Sequence, residues 1–311
     1  MNTRIILVII VIIVILYAFY IYNKTNNKTI AVISSLPFHI ECLGFLLEYI
    51  KDYSIHVYIN KDKVNYLDYF KTKFNFNIYH INNFNEIKYD RIIKLTSHDP
   101  YIVNKKHISI LHVSGMDGHD KKNNTTFITL TPFVRPVNIN YTYILSIYKD
   151  YTDTINLTKN IGFIGHFTKE LVNNQSDIID LINNINGSLI CLGYNITDYN
   201  NNRIISYENI NTISMVNKLR QCSYIIIKEH DDRYSGGITI ALSLNIPLII
   251  KEDIAKVYNI PSITYNNNIN ELTDYINNIS FQNYEKIKLD LRNFTDNEIK
   301  KNKYLLNNLL V

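Results

Sequence analysis

A chain of 311 residues with 46% hydrophobic and 19% charged residues, 25 Tyr and only 9 Gly has a globular profile and length enough for two domains; it is neither disordered nor fibrous. The net charge of +4 comes from dispersed Lys and Arg, without a basic run, zinc-spaced Cys/His pairs or an RNA-binding signature, so no nucleic-acid partner is expected. Cys42, Cys191 and Cys222 lie far apart in or before apolar stretches and read as buried free thiols, not as a disulfide framework.

The first element is the uncharged run IILVIIVIIVILYAFYI, Ile5 to Ile21. As a helix it is just long enough to cross about 25 to 30 Å of hydrocarbon. With interfacial Tyr17, Tyr20 and Tyr22 it reads as a single-pass transmembrane anchor that meets lipid over residues 5–22; a cleaved signal peptide is the alternative. Arg4 on one side and Lys24 and Lys28 on the other leave the orientation open. The sequons at Asn23, Asn27, Asn140, Asn195 and Asn293 matter only if the body enters a secretory lumen.

After the polar spacer, strands are expected at Thr29–Ser35, Ser54–Ile59, Asn77–Ile81, Arg91–Thr96, His107–Val113 and Thr125–Thr131, with helices over Phe38–Asp52 and Val64–Phe74. The polar stretch Tyr148–Asn160 precedes a second start, IGFIGHF (Ile161–Phe167). A helix over Lys169–Asn184 and a strand over Ser188–Gly193 follow it. Next come a strand at Arg203–Tyr207, a helix at Ile213–Gln221, a strand at Ser223–Lys228, a helix after Gly236 and Gly237, and a strand at Pro247–Lys251. Asn270–Ile279 and Tyr284–Leu310 are helical by pattern. The expected organisation is an anchor and spacer (1–28), an N-terminal α/β domain (29–150), a second α/β domain (151–281) and a helical C-terminal segment (282–311), with ligands outside the carboxyl ends of the strands.

A dinucleotide-binding G-x-G-x-x-G is missing after either opening strand, as are a Walker A loop, a G-x-S-x-G elbow and a D-x-D. The segment RIISYENINTISMVNKLRQCSYIIIKEHDDRYSGGITIALSLNIPLII, Arg203 to Ile250, resembles the donor half of the GT-B nucleotide-sugar glycosyltransferases, and YSGGITIALSLNIPLII is its sharpest piece. With IGFIGHF as first strand and turn, the resemblance covers residues 160–279; the N-terminal half matches in strand order. The abundance of Asn, Ile, Lys and Tyr reflects AT-rich codons, as in many large DNA viruses.

The resemblance implies two Rossmann-like domains, a nucleotide-sugar donor as substrate, no separate cofactor and no metal. Ser235, Gly236 and Gly237 would open a helix whose free N–H groups receive a pyrophosphate, with Lys228 and Arg233 as phosphate cations. Glu229 or Asp232 would bond sugar hydroxyls, and Gly165 and His166 form the turn after the second opening strand. The same residues also suit an ordinary βα turn and a solvated charge run. In the first half, the loop SGMDGHD brings Asp117, His119 and Asp120 together as candidates for the base that takes the acceptor's proton. His39 and Glu41, and the SHDP loop at Ser97–Pro100, are weaker candidates. The chain departs from the family pattern at Ile240, where many retaining members carry glutamate, and at His166, where they carry a phosphate-binding arginine. A non-catalytic tethered scaffold that keeps the fold is therefore the alternative to a transferase.

Overall fold

The computed structural model describes residues 10–18, 29–34, 41–96, 105–112, 125–133, 140–151, 157–165, 176–193, 201–208, 210–227, 236–266 and 268–310. Seven strands form the first sheet: β1 (Thr29–Ser34), β2 (Ser54–Ile59), β3 (Asn77–His80), β4 (Arg91–Lys94), β5 (His107–Leu111), β6 (Thr125–Thr129) and β7 (Tyr141–Tyr143). Six form the second: β8 (Ile161–Ile164), β9 (Leu189–Gly193), β10 (Ile204–Glu208), β11 (Tyr224–Ile226), β12 (Leu248–Lys251) and β13 (Ile263–Tyr265). The orders are β3-β2-β1-β4-β5-β6-β7 and β10-β9-β8-β11-β12-β13, parallel throughout. Apart from β7, both halves thus wind third, second, first, fourth, fifth, sixth, the doubly wound order of a Rossmann-like domain.

After the helical residues 10–18, the α-helices among the described residues are α1 (Glu41–Tyr49), α2 (Asp68–Lys71), α3 (Ser176–Asn184), α4 (Thr212–Leu219), α5 (Gly236–Leu244), α6 (Glu252–Tyr258), α7 (Ile269–Asn278) and α8 (Phe281–Leu310). Alternation along each strand decides which core its side chains join. In β1, Ile30 and Val32 enter the main core with α1, whereas Ala31 and Ile33 point to the opposite face, beneath Tyr58, Ile81 and Tyr89. In the second half, Ile161 and Phe163 pack with α3, α7 and Tyr284 of α8. The main core is continuous from the first sheet through α5 to α8. Each fully buried Ile or Leu in it contributes on the order of 1.5 to 3 kcal/mol.

Helix α5 is buried from Gly237 to Leu244 and packs against α1, α8 and β8. A helix lodged between two sheets must be apolar nearly all round, as GGITIALSL is. The long helix α8 returns to the first half: Asn302 Nδ2 donates to the Leu145 carbonyl at 3.0 Å, Lys303 pairs with Asp52, and Arg91 donates to the Leu310 carbonyl.

Several elements differ from expectation. Strands β7 and β13 are only three residues long, too short to show an alternating pattern, and α6 follows β12 without a break. The helix expected over residues 64–74 is a 3-10 helix over Lys61–Leu67 that passes into the four-residue α2. Of the apolar N-terminal run, residues 10–18 are described; they are helical, and Ile10 to Tyr17 are each between 49% and 64% exposed. Among the described residues no helix is long and apolar enough to cross a membrane.

Candidate functional site

In an open parallel sheet the chain leaves the first strand to one side and returns on the other, which opens a crevice beyond the carboxyl ends at that point. In the second sheet this lies between β8 and β11, which pair through Ile161 to Phe163 and Tyr224 to Ile226. Gly165 directly follows β8, and α5 opens at Gly236 after the β11 crossover. Three of the expected donor residues, Gly165, Gly236 and Gly237, can therefore be placed at this crossover. His166, Lys228, Glu229, Asp232, Arg233 and Ser235 lie outside the described residues, as do Asp117, His119 and Asp120 of the first half.

Gly165 has φ +130°, a conformation that L side chains rarely adopt, and among the described residues a Cβ added there would meet nothing within 4 Å, so the side of the turn where a side chain would stand is open. Its N–H donates to the Leu192 carbonyl at 3.0 Å. The next glycine on the neighbouring strand end, Gly193, abuts it so closely that a Cβ at Gly193 would lie 2.0 Å from the Gly165 carbonyl oxygen. The two strand ends thus meet backbone to backbone, and only glycine permits that approach. Gly193 escaped the sequence reading; its signal was a glycine closing the strand beside the one that Gly165 closes.

Helix α5 joins this crossover to the first half through the extended stretch 144–150. Ser146 Oγ and Thr239 Oγ1 are 2.6 Å apart, the Tyr148 N–H donates to Ser243 Oγ at 3.1 Å, and the Asp150 N–H donates to the Ser243 carbonyl at 3.0 Å. The Asp150 carboxylate accepts from Tyr69 and Lys73 of the first half and, at 2.9 Å, from Arg220 Nη2 of the second. A further tie across the halves is Thr131 Oγ1 to Tyr258 OH, 2.7 Å. These residues carry no local sequence signal, because their partners are 70 to 127 positions away.

On the first sheet, Ser34 and Lys94 are buried at the carboxyl ends of β1 and β4, and buried His112 follows β5 with Nε2 2.6 Å from the Leu95 carbonyl. Burial pushes the thiols of Cys191 and Cys222 up to about 12, so neither is a nucleophile at neutral pH. Ile240 is 3% exposed and belongs to the main hydrophobic core.

No family model matches the sequence, and no curated protein is found similar to it. Solved structures do match over nearly the whole chain. The glycosyltransferase AviGT4, involved in avilamycin A biosynthesis, superposes with a TM-score of 0.55 at 7% identity, covering 91% of this chain and 98% of that one. The glycosyltransferase VinC in complex with DTDP gives 0.51 at 10% identity, covering 91% and 99%. Arabidopsis thaliana UGT89C1 complexed with UDP-L-rhamnose gives 0.51 at 10% identity, covering 92% and 99%. The chain shares with these structures the GT-B fold, built here on two parallel sheets of Rossmann-like strand order.

Proposed function

We propose that this chain is a GT-B-type transferase that moves a sugar from a nucleotide-sugar donor, held mainly by the second half, to an acceptor approaching the first. The observation that carries this reading is the crossover of the second sheet, where the Gly165 turn with its open side-chain face, its neighbour Gly193 and the start of α5 at Gly236 lie at the ends of their elements. The first-turn N–H groups of a helix have no intrahelical partners, and the helix dipole favours an anion there. As the bond to the sugar breaks, charge develops on the leaving pyrophosphate. The start of α5, with Lys228 and Arg233, would stabilise it, and a base among Asp117, His119 and Asp120 would take the acceptor's hydroxyl proton. This chemistry needs no metal. Glu229 or Asp232 would bond hydroxyls of the ribose or the transferred sugar, and His166 would donate to a phosphate.

The domain division proposed with this reading is 29–150 for the acceptor side, 151–281 for the donor side and 282–311 for the returning helix. The apolar run over residues 5–22 is proposed to tether the body to a bilayer, in keeping with the exposure of every side chain from Ile10 to Tyr17. Deleting the residues before Thr29 would then give a soluble folded body, and release of the intact chain from membranes by carbonate would overturn the tether.

Ile240 favours a second reading. This buried isoleucine stands at the position where many retaining members have a glutamate, which suits a scaffold that binds nucleotide without turnover. Calorimetric titration of the anchor-free body with UDP-, GDP- and dTDP-sugars separates the two. Binding with slow nucleotide release to a suitable acceptor supports the transferase, and binding without release supports the scaffold. Arg233→Ala is expected to weaken binding by about 1.5 to 3 kcal/mol, the worth of a charge-assisted contact. A body that binds none of these donors overturns the donor-site reading.

A further inference from the structure

Helix α5 has two polar side chains, Thr239 and Ser243, in an otherwise apolar sequence. They are four residues apart and so lie on one stripe of the helix. Both meet the stretch 144–150: Thr239 Oγ1 is 2.6 Å from Ser146 Oγ, and Ser243 Oγ accepts the Tyr148 N–H at 3.1 Å. Two residues of extended chain advance about 6.6 Å, and four residues of helix rise about 6 Å, so the two spacings match and the stretch zips along the helix.

The stretch is itself fixed from its other side. The Leu145 carbonyl accepts from Tyr49 OH of α1 at 3.1 Å and from Asn302 Nδ2 of α8 at 3.0 Å, and the Ile144 N–H donates to the Thr129 carbonyl at the end of β6. Ser146 is therefore a fixed point of the first half, presented to a helix of the second.

Thr239 lies in the first turn of α5, three residues after Gly236, where the helix opens. Ser243 is one turn further on, away from the opening. Ser146 and Thr239 are both fully buried, so the hydroxyl pair has no competing water and holds its geometry. Donors aimed at developing charge act only while held within about half an ångström of their place.

We propose that the Ser146–Thr239 hydrogen bond is the strut through which the first half sets the position of the turn that opens the donor site, making Ser146 and Thr239 positioning residues for nucleotide binding. This rests on the donor-site reading above. It adds that the acceptor half contributes to nucleotide affinity without touching the nucleotide, and that Ser243, on the same stripe, does not.

The test is calorimetric titration of the full chain with UDP and dTDP, alongside thermal unfolding, for Thr239→Val, Thr239→Ser, Ser146→Ala, the Ser146→Ala/Thr239→Val pair and Ser243→Ala. Thr239→Val and Ser146→Ala are each expected to weaken binding of the preferred nucleotide about fivefold or more, the scale of one buried hydrogen bond. The double variant is expected to weaken it no further, because both substitutions remove one shared bond. Thr239→Ser keeps the hydroxyl and restores affinity, while Ser243→Ala lowers the thermal midpoint but leaves the dissociation constant within about twofold. Unchanged affinity in Ser146→Ala, or equal weakening in Ser243→Ala, overturns the strut whatever the midpoints do. If Thr239→Val fails to fold, Ser146→Ala and Thr239→Ser decide the matter alone. Failure of the unsubstituted chain to bind either nucleotide overturns the donor-site reading and the strut with it, whereas binding by the unsubstituted chain and all variants alike overturns the strut only.

Discussion

Arg220 Nη2 donates to Asp150 Oδ2 across 2.9 Å, joining the end of α4 in the second half to the stretch that leaves the first sheet. The same carboxylate, whose side chain is 9% exposed, also accepts from Lys73 and Tyr69, so three donors of two halves converge on one acceptor. Asp150→Ala leaves a guanidinium, an ammonium and a phenol without their shared partner. A fully buried pair broken in this way costs about 3 to 5 kcal/mol, but Arg220 and Lys73 are partly solvated, so about 2 kcal/mol is expected in urea unfolding. Arg220→Ala should cost about half that, since Lys73 and Tyr69 still hold the carboxylate. Equal losses for both would place the worth of the cluster in the Arg220 bond alone.

The thiols yield a second expectation. Cys42, Cys191 and Cys222 are all buried, and burial holds the last two well above neutrality, so the reactive thiolate is scarce and out of reach. An aromatic disulfide reagent at pH 8 should label none of them in the folded protein and all three in denaturant. Rapid labelling of one thiol under native conditions would show that its part of the core opens locally.

Asp296 sets an acid limit. Burial alone would raise its carboxyl, yet hydrogen bonds from Lys149 and Tyr151, at 2.7 and 2.6 Å, bring it below the usual carboxylate range. A carboxyl with a lowered folded-state pKa contributes stability that is complete above its unfolded value, about 4, and is lost as pH falls through the folded value. The thermal midpoint of the native sequence should therefore drop more steeply below about pH 4 than that of Asp296→Asn, and the two curves should converge at the acid end. Parallel curves would mean that the contact adds nothing to the pH dependence.

How far the sequence foretold these features follows from how local each one is. The runs TIAVIS, SIHVYI and LICLG declare their strands because β-branched and apolar residues of a buried parallel sheet need no tertiary context to be recognised. The repetition of the motif order at Ile161 foretold the second sheet and hence the crossover at which Gly165 and Gly236 sit. Tyr141–Tyr143 and Ile263–Tyr265 are strands only because a neighbouring edge is free to pair with them, so nothing within three residues could announce them. Asp150 looked like one charge in a polar connector, and its three partners come from segments distant in sequence. Nothing in the sequence of α5 marks Thr239 and Ser243 as contacts, because their partners Ser146 and Tyr148 lie 93 and 95 positions away.

Gly165, just after β8, and Gly193, at the end of β9, give the sharpest contrast between structural and functional cost. A methyl group at Gly193 would lie 2.0 Å from the Gly165 carbonyl oxygen and 2.8 Å from its carbonyl carbon, and because these are backbone atoms no rotamer change relieves the clash. Strand β9 must then move away from β8, which disturbs the ladder from Ile161 to Ile164 against Leu189 to Leu192. Gly193→Ala should therefore lower stability by about 2 kcal/mol or more, in the range of overpacked sites. Among the described residues a methyl group at Gly165 meets no atom within 4 Å, and its cost is the strain of φ +130°, on the order of 1 to 3 kcal/mol unless the turn flips. If the turn does flip, the Gly165 N–H leaves the Leu192 carbonyl, the open face of the turn is redirected, and nucleotide affinity is expected to fall while the core remains intact. Thermal unfolding and UDP or dTDP titration of the two variants distinguish these routes. Gly193→Ala is expected to lose stability and binding together, and Gly165→Ala to lose binding out of proportion to stability. A Gly165→Ala variant that binds nucleotide as the native chain does would remove this turn from the donor site.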